Sequence, residues 1–291
     1  MSARPAVSVI VPYWNAAKTL GETIDSIRAQ GFRDWELLLV NDGSTDDGPA
    51  VARKAAKVDG RLRLLTHPGG ERRGAFATRL LGARQSRSRV LALLDADDLW
   101  EPGYLASHLA RWRAVRRRGV ALSYGPARYW FAGAQSDFVH PMPAAGEAVF
   151  RPGGLLHSFL DTGYITVPRT SCSLMLKDAV LAMAPFAPAA RRLPRFEDQF
   201  LMWGIAARWP VAVHGGAWVR YRQRGPLKDR PDAFFAETLR DERGFLPLIG
   251  RYLRRHAPGH PLLGPGGISA RLEALRLYDR AGHKPPRRSA S

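Results

Sequence analysis

Three short segments in the first hundred residues carry side chains suited to binding a ligand as well as to folding. Pro12-Tyr13-Trp14-Asn15 offers an aromatic face that can stack on a nucleobase. Asn41-Asp42-Gly43-Ser44 offers a carboxylate that can accept a hydrogen bond from a base N–H. Asp95-Ala96-Asp97-Asp98 gathers three carboxylates on one loop, where they repel one another unless a cation lies among them. Oxygen-only ligands favour Mg2+ or Mn2+. Taken singly, each segment has a plainer explanation. Trp14 suits core packing, Asp42-Gly43-Ser44 suits an ordinary turn, and Asp97 or Asp98 suits the cap of a helix beginning near Pro102. Capping uses one carboxylate and leaves the other two unexplained.

Convergence of these segments requires a scaffold, and the pattern between them supplies one. Val7–Pro12, Glu36–Val40 and Val90–Leu94 are short apolar runs, as expected of strands buried on both faces of a parallel sheet. Each of the three segments follows such a strand. Helical periodicity over 16–30, to about 57, over 74–85 and from about 102 alternates with the strands, and 62–66 and 120–124 complete the set. A run of βα units predicts a mostly parallel α/β sheet with right-handed crossovers, and ligands bind beyond the carboxyl ends of its strands. Residues 125–170 lose this periodicity and accumulate Pro, Gly and aromatics, which predicts a loop-rich region for substrate contacts. A strand over 171–176, a helix over 196–209, a short strand over 218–222 and Arg-rich helices over 231–256 and 268–281 follow.

The stretches VSVIVPYWN, ELLLVNDGSTDD, GAFATRLLG and VLALLDADD together resemble the family-2 glycosyltransferases of the GT-A fold, closely over residues 6–125 and more loosely to about 225. The resemblance implies a nucleotide-sugar donor, most commonly a UDP-sugar, with Pro12, Trp14, Asn15 and Asp42 around the base. It places Arg79, Asp95 and Asp97 near the ribose and diphosphate, and a Mn2+ or Mg2+ ion on Asp97 and Asp98. Phe196-Glu197-Asp198 matches the family's E-D motif, which makes Asp198, with Glu197 beside it, the candidate base for an inverting transfer to an acceptor hydroxyl. The resemblance also implies three parts: 1–125 for the donor, 126–225 for the acceptor and chemistry, and a basic helical extension over 226–291. Three departures stand out. Asn41 replaces a charged or apolar residue, Gly70-Glu71-Arg72-Arg73-Gly74 replaces an Asn-x-Gly stretch, and Tyr221-Arg222-Gln223-Arg224 lacks the His that completes some metal sites. Arg224 is then a candidate for direct contact with the diphosphate.

Composition narrows the remaining classes. The chain has 291 residues with 44 Lys+Arg against 26 Asp+Glu, and a single cysteine. The lone Cys172 excludes an internal disulfide and a four-cysteine zinc site, and fits a cytoplasmic setting. No run approaches the ~20 apolar residues of a membrane span, and Ala6–Trp14 is a core strand rather than a secretory signal. Residues 1–100 hold 15 basic and 12 acidic side chains, and residues 101–291 hold 29 and 14, so the positive surplus is concentrated after the acidic loop. This predicts peripheral contact with an anionic membrane or a phosphate-bearing acceptor. Two rivals remain: a nucleotidyltransferase on a related scaffold, and a basic module that binds nucleic acid or membrane. The first lacks a basic Gly-rich N-terminal loop, and the second has no use for three carboxylates on one loop, so nucleic acid is not expected as a partner.

Overall fold

The computed structural model describes residues 4–133, 136–144, 146–161, 167–193, 196–223 and 232–280. The first part of the chain runs β1 (Val7–Tyr13), α1 (Leu20–Arg28), β2 (Trp35–Asn41), α2 (Gly48–Val58), β3 (Leu62–Thr66), α3 (Ala75–Gln85), β4 (Val90–Leu93), β5 (Leu99–Trp100), α4 (Tyr104–Val115) and β6 (Leu122–Tyr124). The remainder runs β7 (Arg128–Trp130), β8 (Phe138–Val139), β9 (Ala148–Phe150), α5 (Leu156–Asp161), β10 (Ser173–Leu176), α6 (Lys177–Leu181), α7 (Ala187–Ala190), α8 (Glu197–Arg208), β11 (Val211–Val213), β12 (Val219–Arg222), α9 (Asp232–His256) and α10 (Ile268–Arg280).

The strands β1 and β2 are apolar without a break because both of their faces are covered. Ile10, Leu38 and Val40 point into a core with Phe76 and Leu80 of α3 and with α8 and α9. Val9, Val11, Leu37 and Leu39 point the other way, towards Leu20, Ile24 and Ile27 of α1 and Leu105 and Leu109 of α4. The two-residue alternation of a strand thus divides one apolar run between two cores.

The main sheet has the order β3-β2-β1-β4-β10-β6-β11-β9. Strands β1 to β4 pair in parallel, as the sequence predicts. The strand after β4 in sequence is not its neighbour in space. Instead β10 inserts between β4 and β6, antiparallel to both. This insertion carries the residues just before β10 to the end of β4, beside the acidic loop. A second sheet, β5-β12-β7-β8, stands on the other side of that loop.

Helix α3 lies close against β1. A Cβ on Gly82 would stand 2.5 Å from Ile10 Cγ2, so glycine sets how near the helix approaches the sheet. Glycine to alanine inside a helix ordinarily stabilises by about 1 kcal/mol. Here Gly82→Ala is expected to destabilise by about 1–3 kcal/mol through overpacking, as read by urea denaturation. A neutral or stabilising result would show that α3 can lift off β1 without cost.

Candidate functional site

The carboxyl ends of β1 and β2 are neighbours in register, with Pro12 opposite Val40 and Tyr13 opposite Asn41. Pro12 is buried within β1 and sets where the chain leaves the sheet. Trp14 follows with its ring 44% exposed. Asn15 takes a left-handed conformation (φ 49°) that asparagine tolerates better than most residues. Its Oδ1 accepts the Thr45 N–H at 2.8 Å, and its own N–H donates to Ser44 Oγ, so the turns after β1 and β2 are stitched together.

Asp42 is buried and fully engaged. Its Oδ1 accepts the Arg73 N–H at 2.7 Å, and its Oδ2 accepts the Gly74 N–H at 3.0 Å. The carboxylate that the sequence predicts for a base N–H anchors the 68–74 loop in the structure. That loop lies across the site: a Cβ on Gly43 would stand 2.9 Å from both Arg72 N and Gly70 O. Arg72 stacks on Trp14 with its Cζ 3.5 Å from the ring centroid.

The acidic loop leaves β4 and is held from three sides. Thr19, just before α1, and Thr23 within it donate to the carbonyls of Ala96 and Asp98. Asp95 accepts Arg79 Nη2 at 2.6 Å on one oxygen and Thr170 Oγ at 2.8 Å on the other. Arg222 of β12 donates from Nε to the Asp97 carbonyl at 2.7 Å and from its backbone N–H to Asp98 Oδ1 at 2.9 Å. Ser171 donates to Asp98 Oδ2 at 2.5 Å.

The sequence pairs Asp97 with Asp98 as metal ligands. In the structure Asp98 is 1% exposed, and its oxygens accept from Ser171 and Arg222. Burial, then the neighbouring Asp95 and Asp97, hold its carboxyl well above the usual carboxylate range. Asp95 and Asp97 of this loop are both partly exposed.

Helix α8 brings the second acidic pair to the same place. Gly74, the residue before α3, has no side chain with which to cap that helix. Glu197 supplies the cap from α8, its Oε2 accepting the Phe76 N–H at 3.2 Å, a favourable place for a carboxylate. Asp198 accepts the following Gln199 N–H at 2.7 Å. Burial raises the pKa of both carboxyls, against the lowering pull of Arg79 on both and of Arg169 on Asp198. A raised pKa makes Asp198 a stronger base once ionised. Burial alone would favour loss of the Arg79 proton, but Asp95, Glu197 and Asp198 outweigh it and hold the guanidinium charged. Arg79 is 5% exposed, and its Nε and Nη1 have no hydrogen-bond partner among the described residues. A buried cation with unused donors, next to partly exposed carboxylates, suits an anionic group that enters with a cation.

The structure therefore makes two linked clusters. Trp14, Asn15 and Asp42 surround the 68–74 loop. Arg79, Asp95, Asp97, Asp98, Glu197 and Asp198 surround the acidic loop. Gly74 joins them, bonded to Asp42 and within 3.4 Å (from its would-be Cβ) of Glu197 Oε2. Thr170, Ser171 and Arg169 escape the sequence analysis, because three polar residues before a strand carry no pattern until β10 is seen beside β4. Arg169 donates twice to the Tyr129 hydroxyl. Arg224, the candidate for diphosphate contact, lies outside the described residues. No group of three His, Cys, Asp or Glu side chains among the described residues is arranged to hold a metal. The donor chemistry still fits Mg2+ or Mn2+, which are commonly held by one or two carboxylates plus substrate phosphate oxygens.

The profile of glycosyl transferase family 2 matches residues 8–179, more than half of the chain. The Escherichia coli protein named UDP-Glc:alpha-D-GlcNAc-diphosphoundecaprenol beta-1,3-glucosyltransferase WfgD is 29% identical over 119 residues, 41% of this chain and 44% of its own. The chain spans less than half the length of the curated relatives it matches. S. aureus TarS in complex with UDP-GlcNAc superposes with a TM-score of 0.57 at 15% identity over 96% of this chain and 81% of that one. The Pyrobaculum calidifontis mannosyltransferase PcManGT, in complex with GDP-Man and Mn2+, gives 0.53 at 15% identity over 98% and 78%. At such identities the two structures speak to fold alone, and they bear out the expected GT-A architecture.

Ser171→Ala removes one donor to a buried carboxyl and is expected to cost about 1–3 kcal/mol in chemical denaturation. An unchanged midpoint would mean that Asp98 does not depend on Ser171.

Proposed function

The chain belongs to glycosyl transferase family 2, and on that premise we propose that it moves a sugar from a nucleotide-diphosphate donor to an acceptor hydroxyl with inversion at the anomeric carbon. The observation that supports this reading is the charge cluster after β4: buried Arg79 of α3 pairs with Asp95 and lies in the field of Glu197 and Asp198 at the start of α8, with Asp97 on the same acidic loop as Asp95. UDP is favoured as the nucleotide by the relatives' names and complexes, and a cell-surface glycan or its lipid-linked precursor as the product.

Each group then has one task. The base lies on the Trp14 side, and the diphosphate extends towards the acidic loop. A Mn2+ or Mg2+ ion on Asp97 would neutralise charge on the departing diphosphate. Arg79 supplies a fixed positive charge, buried and already oriented, for the same leaving group. Asp95 keeps Arg79 in place, and Asp98 holds the loop to Ser171 and Arg222. Asp198 takes the proton from the acceptor hydroxyl as that oxygen attacks the anomeric carbon and the bond to the diphosphate breaks. Glu197 fixes the start of α3 so that Arg79 and Asp198 keep their spacing. Tyr129, Tyr221 and Arg169 form a wall beside Asp198 where the acceptor would enter. No helix among the described residues is long and apolar enough to cross a membrane. The basic surface remains a candidate for peripheral contact with anionic lipid.

Asp97→Ala is expected to weaken Mn2+-dependent UDP binding at least tenfold, as read by calorimetric titration. Unchanged binding would remove Asp97 as the metal residue. Asp198→Asn is expected to keep UDP binding while UDP release from a UDP-sugar, with GlcNAc-diphosphoundecaprenol as acceptor, falls by about 10²–10⁴-fold. Retained turnover would remove Asp198 as base.

A further inference from the structure

We propose that the 68–74 strap is a built-in occupant of the nucleobase site, with Arg72 covering Trp14 until the donor displaces it. The inference rests on Trp14 being the base platform, as argued above.

The Arg72 guanidinium lies 3.5 Å from the centroid of the Trp14 ring. At that distance it fills the layer directly above the indole, which is the layer a stacked base needs. The strap is fixed at its two ends and light in the middle. At the entry end, His67 Nε2 stands 3.0 Å from Thr78 Oγ, whose proton goes to Gly74 O at 2.8 Å. At the exit end, Asp42 holds the N–H groups of Arg73 and Gly74. Between them, Gly69 (φ 77°) and Gly70 (φ 69°) adopt left-handed conformations that glycine reaches without strain. Residues 69–73 are exposed. The middle is held to the site by the Arg72 stack, by a 3.9 Å ion pair of Arg72 Nε with Asp42 Oδ2, by its contact with Gly43, and by one bond from Arg191 to the Arg72 carbonyl at 3.1 Å.

Arg72 is one of the departures from the resembled family pattern, at a position where a planar cation can do what a base does: stack on an aromatic face. A guanidinium gains from the negative face of the indole as well as from contact. In the free protein the strap and the base then compete for one ring. Apparent affinity for the nucleotide is reduced by the fraction of molecules whose ring is uncovered. A ligand that offers a phosphate but no ring gains nothing from uncovering Trp14, so the strap favours donors with a stacking base over simple phosphates.

The test is a calorimetric titration of UDP with Mn2+ into wild type, Arg72→Ala and Arg72→Lys. Lysine keeps the charge near the phosphates but loses the planar stack. Both variants are expected to bind UDP about two- to five-fold more tightly than wild type, the worth of an exposed cation–π contact. In a Trp14→Ala background, Arg72→Lys is expected to make no difference, because the contested ring is gone. Thermal unfolding checks that the exposed Arg72 variants remain folded. Equal or weaker UDP binding by Arg72→Lys, with wild type binding UDP, would overturn the strap proposal and leave the donor site standing. Failure of every protein to bind UDP would overturn the donor reading and the strap with it.

Discussion

Gathering three carboxylates on one loop costs electrostatic energy, and the site is organised around offsetting it. Arg79 is the main counterweight. It reaches Asp95 from a buried position on α3 and lies within the field of Glu197 and Asp198 on α8. Loss of that cation would leave five carboxyls, Asp95, Asp97, Asp98, Glu197 and Asp198, with Arg169 and Arg222 as the nearby cations. Asp98 is handled differently, by burial and by donors from Ser171 and Arg222. The result is a division of labour: Asp95 is paired with Arg79 and Thr170, and Asp98 is turned inward onto Ser171 and Arg222.

The scaffold follows from that requirement. Arg79 can reach Asp95 only if α3 lies close to β1, which Gly82 allows. Thr170 and Ser171 can reach the loop only because β10 runs back between β4 and β6. Glu197 connects α8 to the start of α3, so the two helices are joined through a helix cap.

Much of this was legible in the sequence, for physical reasons. Strands covered on both faces write themselves as unbroken apolar runs, so β1, β2 and β4 were readable, and with them the edge where Trp14, Asn41 and Asp95 emerge. The place of β10 was not readable, since an apolar run of four residues does not encode which neighbour it pairs with. Asp97 and Asp98 look equivalent as letters. Only the pleat and turn of the chain decide that it is Asp98 that turns onto Ser171. Arg72 appeared as a departure from a pattern, but its stacking on Trp14 depends on how the glycines before it bend. Asp42 shows the same limit, because its backbone partners come from residues 73 and 74 and leave no mark in its own neighbourhood.

The proposed reaction requires one site that holds the base, the metal and the leaving group together. A crystal structure with UDP and Mn2+ bound tests it most directly. The expected result is uracil against Trp14, the diphosphate between Asp97 and Arg79, and the ion in contact with Asp97 but not with Asp98. A nucleotide bound elsewhere, or an ion held by Asp98 with Asp97 turned away, would contradict it.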